Sequence, residues 1–328
     1  MHNFVRKNQI KEYALFIGLA VFAIILSVRR DTSDVVMQGI KLWAVSLLPS
    51  LFPYFFISAA LASLKVTGKL ALKFSPLSQK AFNVNGLCFY AFIMSVISGY
   101  PLGSQIVAEL RLNNLIGKEE SVRAAAFCST SSPVFLIGCV GGVMFDDIKF
   151  GVLLFICHIV SVITVGIIFS FYKRDVSPAK VSSLPLISPC DDVLADCSYS
   201  AVLSALKVGA IITLFYTLTE TLSSIGALYL PEKALTFLLG DQTAATALTY
   251  GILESTRGYV ALAQNGLSTF SLPICAFFCG FGGLSVIVQS LTFLKKAKIK
   301  AAAFCGAKLL TAFISVIIAV FVNKAFYL

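Results

Sequence analysis

Charge is scarce in this chain. Asp, Glu, Lys and Arg supply 13% of its 328 residues, about half of the ~25% usual in soluble globular proteins. A mean hydropathy of +0.88 accompanies the deficit. Together they exclude a water-soluble domain and point to a polytopic membrane protein. Histidine is reduced to His2 and His158. His158 sits among apolar residues with no partner in view, so a buried neutral ring is expected. There is no metal-ligand spacing, no nucleophile–base constellation and no phosphate-cradling glycine loop. An enzyme is therefore not expected, nor a resident metal or organic cofactor. No small-residue cleavage site follows the first apolar run at 13–28, which stops at Arg29-Arg30. That run reads as an uncleaved first span, close to the ~17-residue lower limit.

The formal net charge of +10 calls for no nucleic acid, because the basic residues lie in short clusters between apolar runs. Most of the nine cysteines fall within or beside apolar sequence, where Cys packs as a small hydrophobe. Cys275 and Cys279 share a helix face, which fits packing better than a metal pair. Cys190 and Cys197 lie in a polar stretch and leave a disulfide open. Trp43, Tyr54 and Tyr100 are candidate interfacial anchors.

The apolar segments predict an all-α polytopic membrane protein of about 8–10 transmembrane helices, at ~20 residues each. Some are too short to cross alone, near 84–98 and 234–250, and read as re-entrant arms or short spans. Four units follow: an N-terminal span at 1–35, a first repeat at 36–172, a polar linker at 173–200 and a second repeat at 201–328. Lysines at 295–300 and Lys173-Arg174 place two turns on the cytoplasmic side. The spans at 150–172 and 301–323 then run in opposite directions, as an inverted repeat requires.

What marks the chain is broken apolar sequence, twice in each half. The first half holds Ser98-Gly-Tyr-Pro-Leu-Gly103 and Phe127-Cys-Ser-Thr-Ser-Ser-Pro133. The second holds Gly251-Ile-Leu-Glu-Ser-Thr-Arg-Gly258 and Phe278-Cys-Gly-Phe-Gly-Gly-Leu-Ser285. In hydrocarbon an unpaired backbone group costs several kcal/mol, so breaks survive only when buried or lining a cavity. Matching breaks in two halves point to a transporter's midplane site.

Candidate substrate-binding residues follow. Ser129, Thr130, Ser131 and Ser132 offer four hydroxyls before Pro133, either to a solute or to a hydroxyl-stabilised kink. Glu254 and Arg257, with Ser255 between them, are costly charges inside apolar sequence. Arg257 is expected to face an anion, with Glu254 holding it or taking a proton; a self-neutralising structural pair is the alternative. Gly280, Gly282 and Gly283, followed by Ser285 and Gln289, permit close backbone approach to a ligand or tight helix packing. Gly99, Tyr100, Pro101 and Gly103 form the first break. Gln105 and Glu109 follow it on one face, with Glu109 either inside or at the water interface beside Arg111. Thr213, Thr217, Glu220 and Ser224 make a polar stripe. Glu109 and Glu220 are the candidate groups for coupling to protons or sodium.

The quoted segments, above all Gly251-Ile-Leu-Glu-Ser255 and Gly280-Phe-Gly-Gly-Leu-Ser-Val286 with Gln289, resemble the sporulation integral membrane protein YlbJ family. That family belongs with the nucleoside-recognition gate-domain proteins, which are similar to concentrative nucleoside transporters. The resemblance covers roughly 40–325. It implies a transporter in the cell membrane of an endospore-forming bacterium, including the forespore membrane. The implied solute is a small anion such as dipicolinate, which would suit Arg257, the hydroxyl run and glycine-presented amides. A nucleoside or nucleobase carrier and a non-transporting structural protein of sporulation are the rival expectations.

Overall fold

The computed structural model describes residues 2–63, 69, 73–179, 193–264 and 266–326. Every regular element among them is helical. The first is α1 (His2–Val28), followed by α2 (Thr32–Lys41), a π-helical stretch (Leu42–Leu47) and α3 (Leu48–Ser63). Next come α4 (Ser75–Phe82), α5 (Gly86–Ser98), α6 (Leu102–Leu112), α7 (Lys118–Phe127), the π-wound α8 (Val134–Met144) and α9 (Ile148–Ser170). The remainder is α10 (Val193–Ser224), α11 (Tyr229–Leu239), α12 (Gln242–Leu253), α13 (Ser255–Ala263), α14 (Ser271–Phe281), α15 (Gly283–Lys296) and α16 (Ala301–Phe326).

Four of the described helical runs are long and apolar enough to cross a bilayer: α9, α10, α14 continued by α15, and α16. The α4–α5 pair makes a fifth if it counts as one span, bent by 86°. The eight to ten crossings expected from apolar segments are thus reached only by counting half-length helices. α10 begins at Val193, inside the stretch expected to be linker. Cys190 lies outside the described residues, and Cys197 is a buried free thiol. Trp43 packs on α10, where the indole closes over Gly209, rather than anchoring at an interface.

The order α3 to α9 recurs as α10 to α16. α4 ends at the left-handed Asn83, and α11 ends at the left-handed Gly240. The next helix in each half takes a polar N-cap: Asn85 accepts from Leu87 N–H at 3.0 Å, and Asp241 from Ala244 N–H at 2.8 Å. In each half there follow two broken helix pairs, α5–α6 and α7–α8 against α12–α13 and α14–α15. A long unbroken helix closes both halves.

Packing across the halves is reciprocal. α6 lies on α15 and α13 on α8; α7 meets α16 and α14 meets α9. α9 and α16 are antiparallel along their whole length. Lys300 Nζ donates to the Tyr172 hydroxyl at 2.8 Å, the Ser161 and Ser315 hydroxyls meet at 2.5 Å, and Lys149 lies 5.5 Å from the Phe326 ring centre. The two lysine-rich turns therefore sit on one side of the molecule. α2–α3 also runs antiparallel to α10, with Leu47 near Ile212 and Phe55 near Ala201 and Ala205.

At the end of α9, the fully buried Arg123 donates to the carbonyls of Tyr172, Lys173 and Val176. Glu120 receives the backbone N–H groups of Asn85, Gly117 and Ala179. Lys173 beside Glu119 holds that carboxyl below the usual range. These contacts fix the turn from which the broken helices enter the core.

Candidate functional site

The four breaks fold to one place. A cavity of about 70 Å³ is lined by Ser98, Gly99 and Tyr100 of the first break, and by Ser131 and Ser132 of the second. Glu254, Ser255 and Thr256 of the third line it as well, with Ser285, Val286 and Gln289 just beyond the fourth. Leu47, Phe55, Val208 and Ile212 close the other side from α3 and α10. One wall is thus hydroxyl, amide and carboxylate, and the other is apolar. This volume is about half of the ~150 Å³ that accommodates benzene.

Local sequence explains each break. Gly99 takes a φ of 79°, and a Cβ there would lie 3.3 Å from the Ser132 backbone nitrogen. The first two breaks therefore touch. Gly283 takes a φ of 75°, and its Cβ would lie 3.0 Å from the Ser255 nitrogen, so the other two touch in the same way. Gly103 is needed for a different reason: it presses against the Cys128 carbonyl and Ser95. Gly280 abuts the α16 backbone at Thr311 and Ala312, which is packing rather than ligand approach.

The hydroxyl run is fully buried and divides its tasks. Thr130 N–H donates to Ser95 Oγ at 3.0 Å. Ser131 N–H donates to His158 Nε2 at 3.0 Å, giving His158 a partner that sequence alone does not reveal. Ser132 Oγ accepts from Phe135 N–H at 3.3 Å, capping the turn that Pro133 begins. Ser131 and Ser132 line the cavity, whereas Ser129 and Thr130 stand behind it. Ser285 also lines it, and its buried hydroxyl has no hydrogen-bond partner among the described residues.

Glu254 and Arg257 do not form the expected pair. Glu254 is extended (φ −143°, ψ 112°) and caps α13, its carboxylate accepting from the Arg257 backbone N–H at 2.9 Å. The spacing of three that would align two helical side chains does not apply, because Glu254 lies outside the helix. The Arg257 guanidinium instead turns to α10. There it pairs with Glu220 and lies 4.5 Å from the Tyr216 ring and 5.2 Å from the Tyr250 ring. Arg257, Glu220, Gly282, Gly280 and Pro133 are not among the cavity-lining residues. Glu109 is exposed on α6, its carboxylate accepting from Gln105 Nε2 at 2.9 Å. Tyr100 is no interfacial anchor: its ring lines the cavity and its hydroxyl donates to the Cys279 carbonyl. Cys275 and Cys279 are both buried, and Cys279 Sγ lies 3.2 Å from the Tyr259 hydroxyl.

Sequence reasoning missed Lys308. It is 1% exposed, two turns into α16. Its Nζ donates to the Ser129 carbonyl at 3.1 Å and lies 4.6 Å from the Tyr100 ring centre. The available signal was a lone charge between Lys300 and Lys324 in an otherwise apolar helix.

No protein-family model matches the sequence. The chain is 25% identical over 333 residues to the sporulation integral membrane protein YlbJ of Bacillus subtilis (strain 168), covering 94% of this chain and 82% of that protein. Solved structures of CNTnw share its fold. A doubly substituted CNTnw in an outward-facing state superposes with a TM-score of 0.58 at 14% identity, covering 92% of this chain and 87% of that one. CNTnw in an inward-facing substrate-bound state gives 0.56 at 15% identity, covering 91% and 86%. The chain is thus an integral membrane homologue of YlbJ with the concentrative nucleoside transporter fold.

Proposed function

We propose that the protein is a membrane transporter that carries a small polar, anionic solute of the dipicolinate type during endospore formation. The observation that carries this reading is the convergence of four helix breaks on one cavity. Broken backbone is costly in a bilayer and is retained where it lines a solute path. Ser131, Ser132, Ser255, Ser285 and Gln289 would hold the solute's polar edge, and the apolar wall from α3 and α10 its ring. The formal charges around the breaks balance, Glu220 and Glu254 against Arg257 and Lys308. What supports the anionic class is the donor-rich wall, since hydroxyls and the Gln289 amide can donate to a carboxylate, and Glu254 is already engaged by the N-terminus of α13.

A nucleoside or nucleobase carrier is the second reading, and the fold shared with CNTnw favours it. The two readings separate by uptake into proteoliposomes of the purified chain. Dipicolinate flux that survives excess nucleoside supports the first; nucleoside flux that survives excess dipicolinate supports the second. Neither solute moving or binding would leave a structural role in the sporulation membrane.

A further inference from the structure

Lys308 sits where a mobile cation would be expected. α7 ends at Phe127, so the carboxyl end of that half-helix and the carbonyls freed by the break point at Ser129. A helix carboxyl end carries about half a negative charge. In transporters with broken helices, such ends and unwound carbonyls coordinate the coupling ion. Here the Ser129 carbonyl is met by an ammonium at 3.1 Å. The same ammonium stands 4.6 Å from the ring centre of Tyr100, whose electron-rich face attracts cations. One side chain of the second half therefore bridges both breaks of the first.

Among the described residues no carboxylate pairs with Lys308. The titratable groups facing this place are Tyr100, His158 of α9 and Cys279 of α14. Tyr100 donates to the Cys279 carbonyl, and His158 accepts from Ser131 N–H while its Nδ1 has no partner among the described residues. The Ser129 hydroxyl beside Lys308 is buried without a hydrogen-bond partner among the described residues. A charged side chain inside a membrane core is costly and marks function by default. A monovalent metal ion at these carbonyls would meet a like charge at contact distance.

We infer that Lys308 is a tethered coupling cation: its ammonium seats the break at 128–133 in place of a sodium ion, so solute binding and transport need no sodium. The inference rests on the transporter reading, but its seat at the break is testable without a solute. The test uses the full chain in detergent, unfolded thermally in sodium chloride and in choline chloride at equal concentration. The wild type and Lys308→Arg, which keep the cation, are expected to show one midpoint in both salts. Lys308→Ala is expected to unfold earlier in choline and to recover part of the loss in sodium, which fills the vacated carbonyls. A sodium-dependent midpoint for the wild type overturns the inference. So does a Lys308→Ala midpoint that is unchanged, or lowered equally in both salts, since the lysine is then structural only. If Lys308→Ala does not fold, Lys308→Met, which keeps the length without the charge, is melted in the same two salts and read by the same two outcomes.

Flux then separates the two readings. Solute uptake that continues in choline supports the inference, and uptake lost without sodium overturns it while leaving transport intact. The expected salt pattern with no flux of any solute removes the transporter reading and leaves the lysine's seat standing.

Discussion

A buried hydroxyl without a partner is a sensitive reporter because nothing inside the protein depends on it. Ser285 lines the cavity in that state. Ser285→Ala should leave the thermal midpoint unchanged or slightly raised, since no internal hydrogen bond is lost. It should weaken solute binding by about 0.5–1.5 kcal/mol, up to roughly tenfold. Titration calorimetry with the transported solute, beside a melting curve, checks both halves of that statement. At this scale the sequence was read unevenly. Ser131, Ser132, Glu254, Ser285 and Gln289 were nominated from sequence and line the cavity. Arg257 was nominated with them but faces Glu220; its spacing from Glu254 assumes a helix that includes Glu254, and α13 starts one residue later. Lys308 was visible as a lone charge, yet its meaning depends on a carbonyl 179 residues upstream. Local sequence does not encode that distance.

At the scale of helices, the breaks were the most legible feature. Gly, Pro and runs of hydroxyls interrupt apolar sequence at the places where α5–α6, α7–α8, α12–α13 and α14–α15 part. Periodicity could not show which broken pair is tied to which long helix. The α12–α13 pair is held to α10 by Arg257 with Glu220, and by Ser223 Oγ with the Tyr250 hydroxyl at 3.0 Å. These polar ties cross a thin contact: α12 and α15 touch α10 far less than α3 does. A polar latch on a sparse interface is what a sliding surface requires. Glu220→Gln leaves a mostly buried guanidinium unpaired and should cost more than about 1 kcal/mol. Adding Arg257→Gln should recover part of that loss. A coupling energy of about 0.5–3 kcal/mol in a double-mutant cycle read by thermal unfolding is the expected result, and a coupling of zero would remove the latch.

At the scale of the molecule, two bodies are distinguishable. α7, α9, α14 and α16 pack on one another, with α12–α13 on α14, whereas α2–α3 pairs with α10. If the first body moves against the second to expose the cavity, links within a body should be harmless and links between bodies should not. Paired Ser161→Cys and Ser315→Cys, at hydroxyls 2.5 Å apart on α9 and α16, should cross-link under mild oxidation and leave uptake intact. Paired Ser223→Cys and Tyr250→Cys, bridged by a thiol reagent about as long as a phenol ring, should arrest it. Equal uptake after both bridges would refute the division. The antiparallel course of α9 and α16 was foreseen from the lysines at 295–300 and Lys173-Arg174, because charge bias orients spans whatever the interior holds. The reciprocal packing of the halves was not, since it depends on contacts between segments far apart in sequence.

The lysine on the last helix also bears on how the protein is made. Chains are synthesised from the amino end, so Tyr100 and Ser129 are already in the membrane when α16 emerges from the ribosome. A lysine in a spanning helix costs up to roughly 2.5–3.5 kcal/mol on insertion scales, the value at the helix centre. Nothing on α16 itself offsets that cost; the carbonyl of Ser129 and the ring of Tyr100 do. α16 thus meets partners made earlier in the chain, and its insertion is favoured once the breaks at Tyr100 and Ser129 have formed. A chain whose early breaks are misfolded would leave that ammonium stranded in lipid, exposed to membrane quality control.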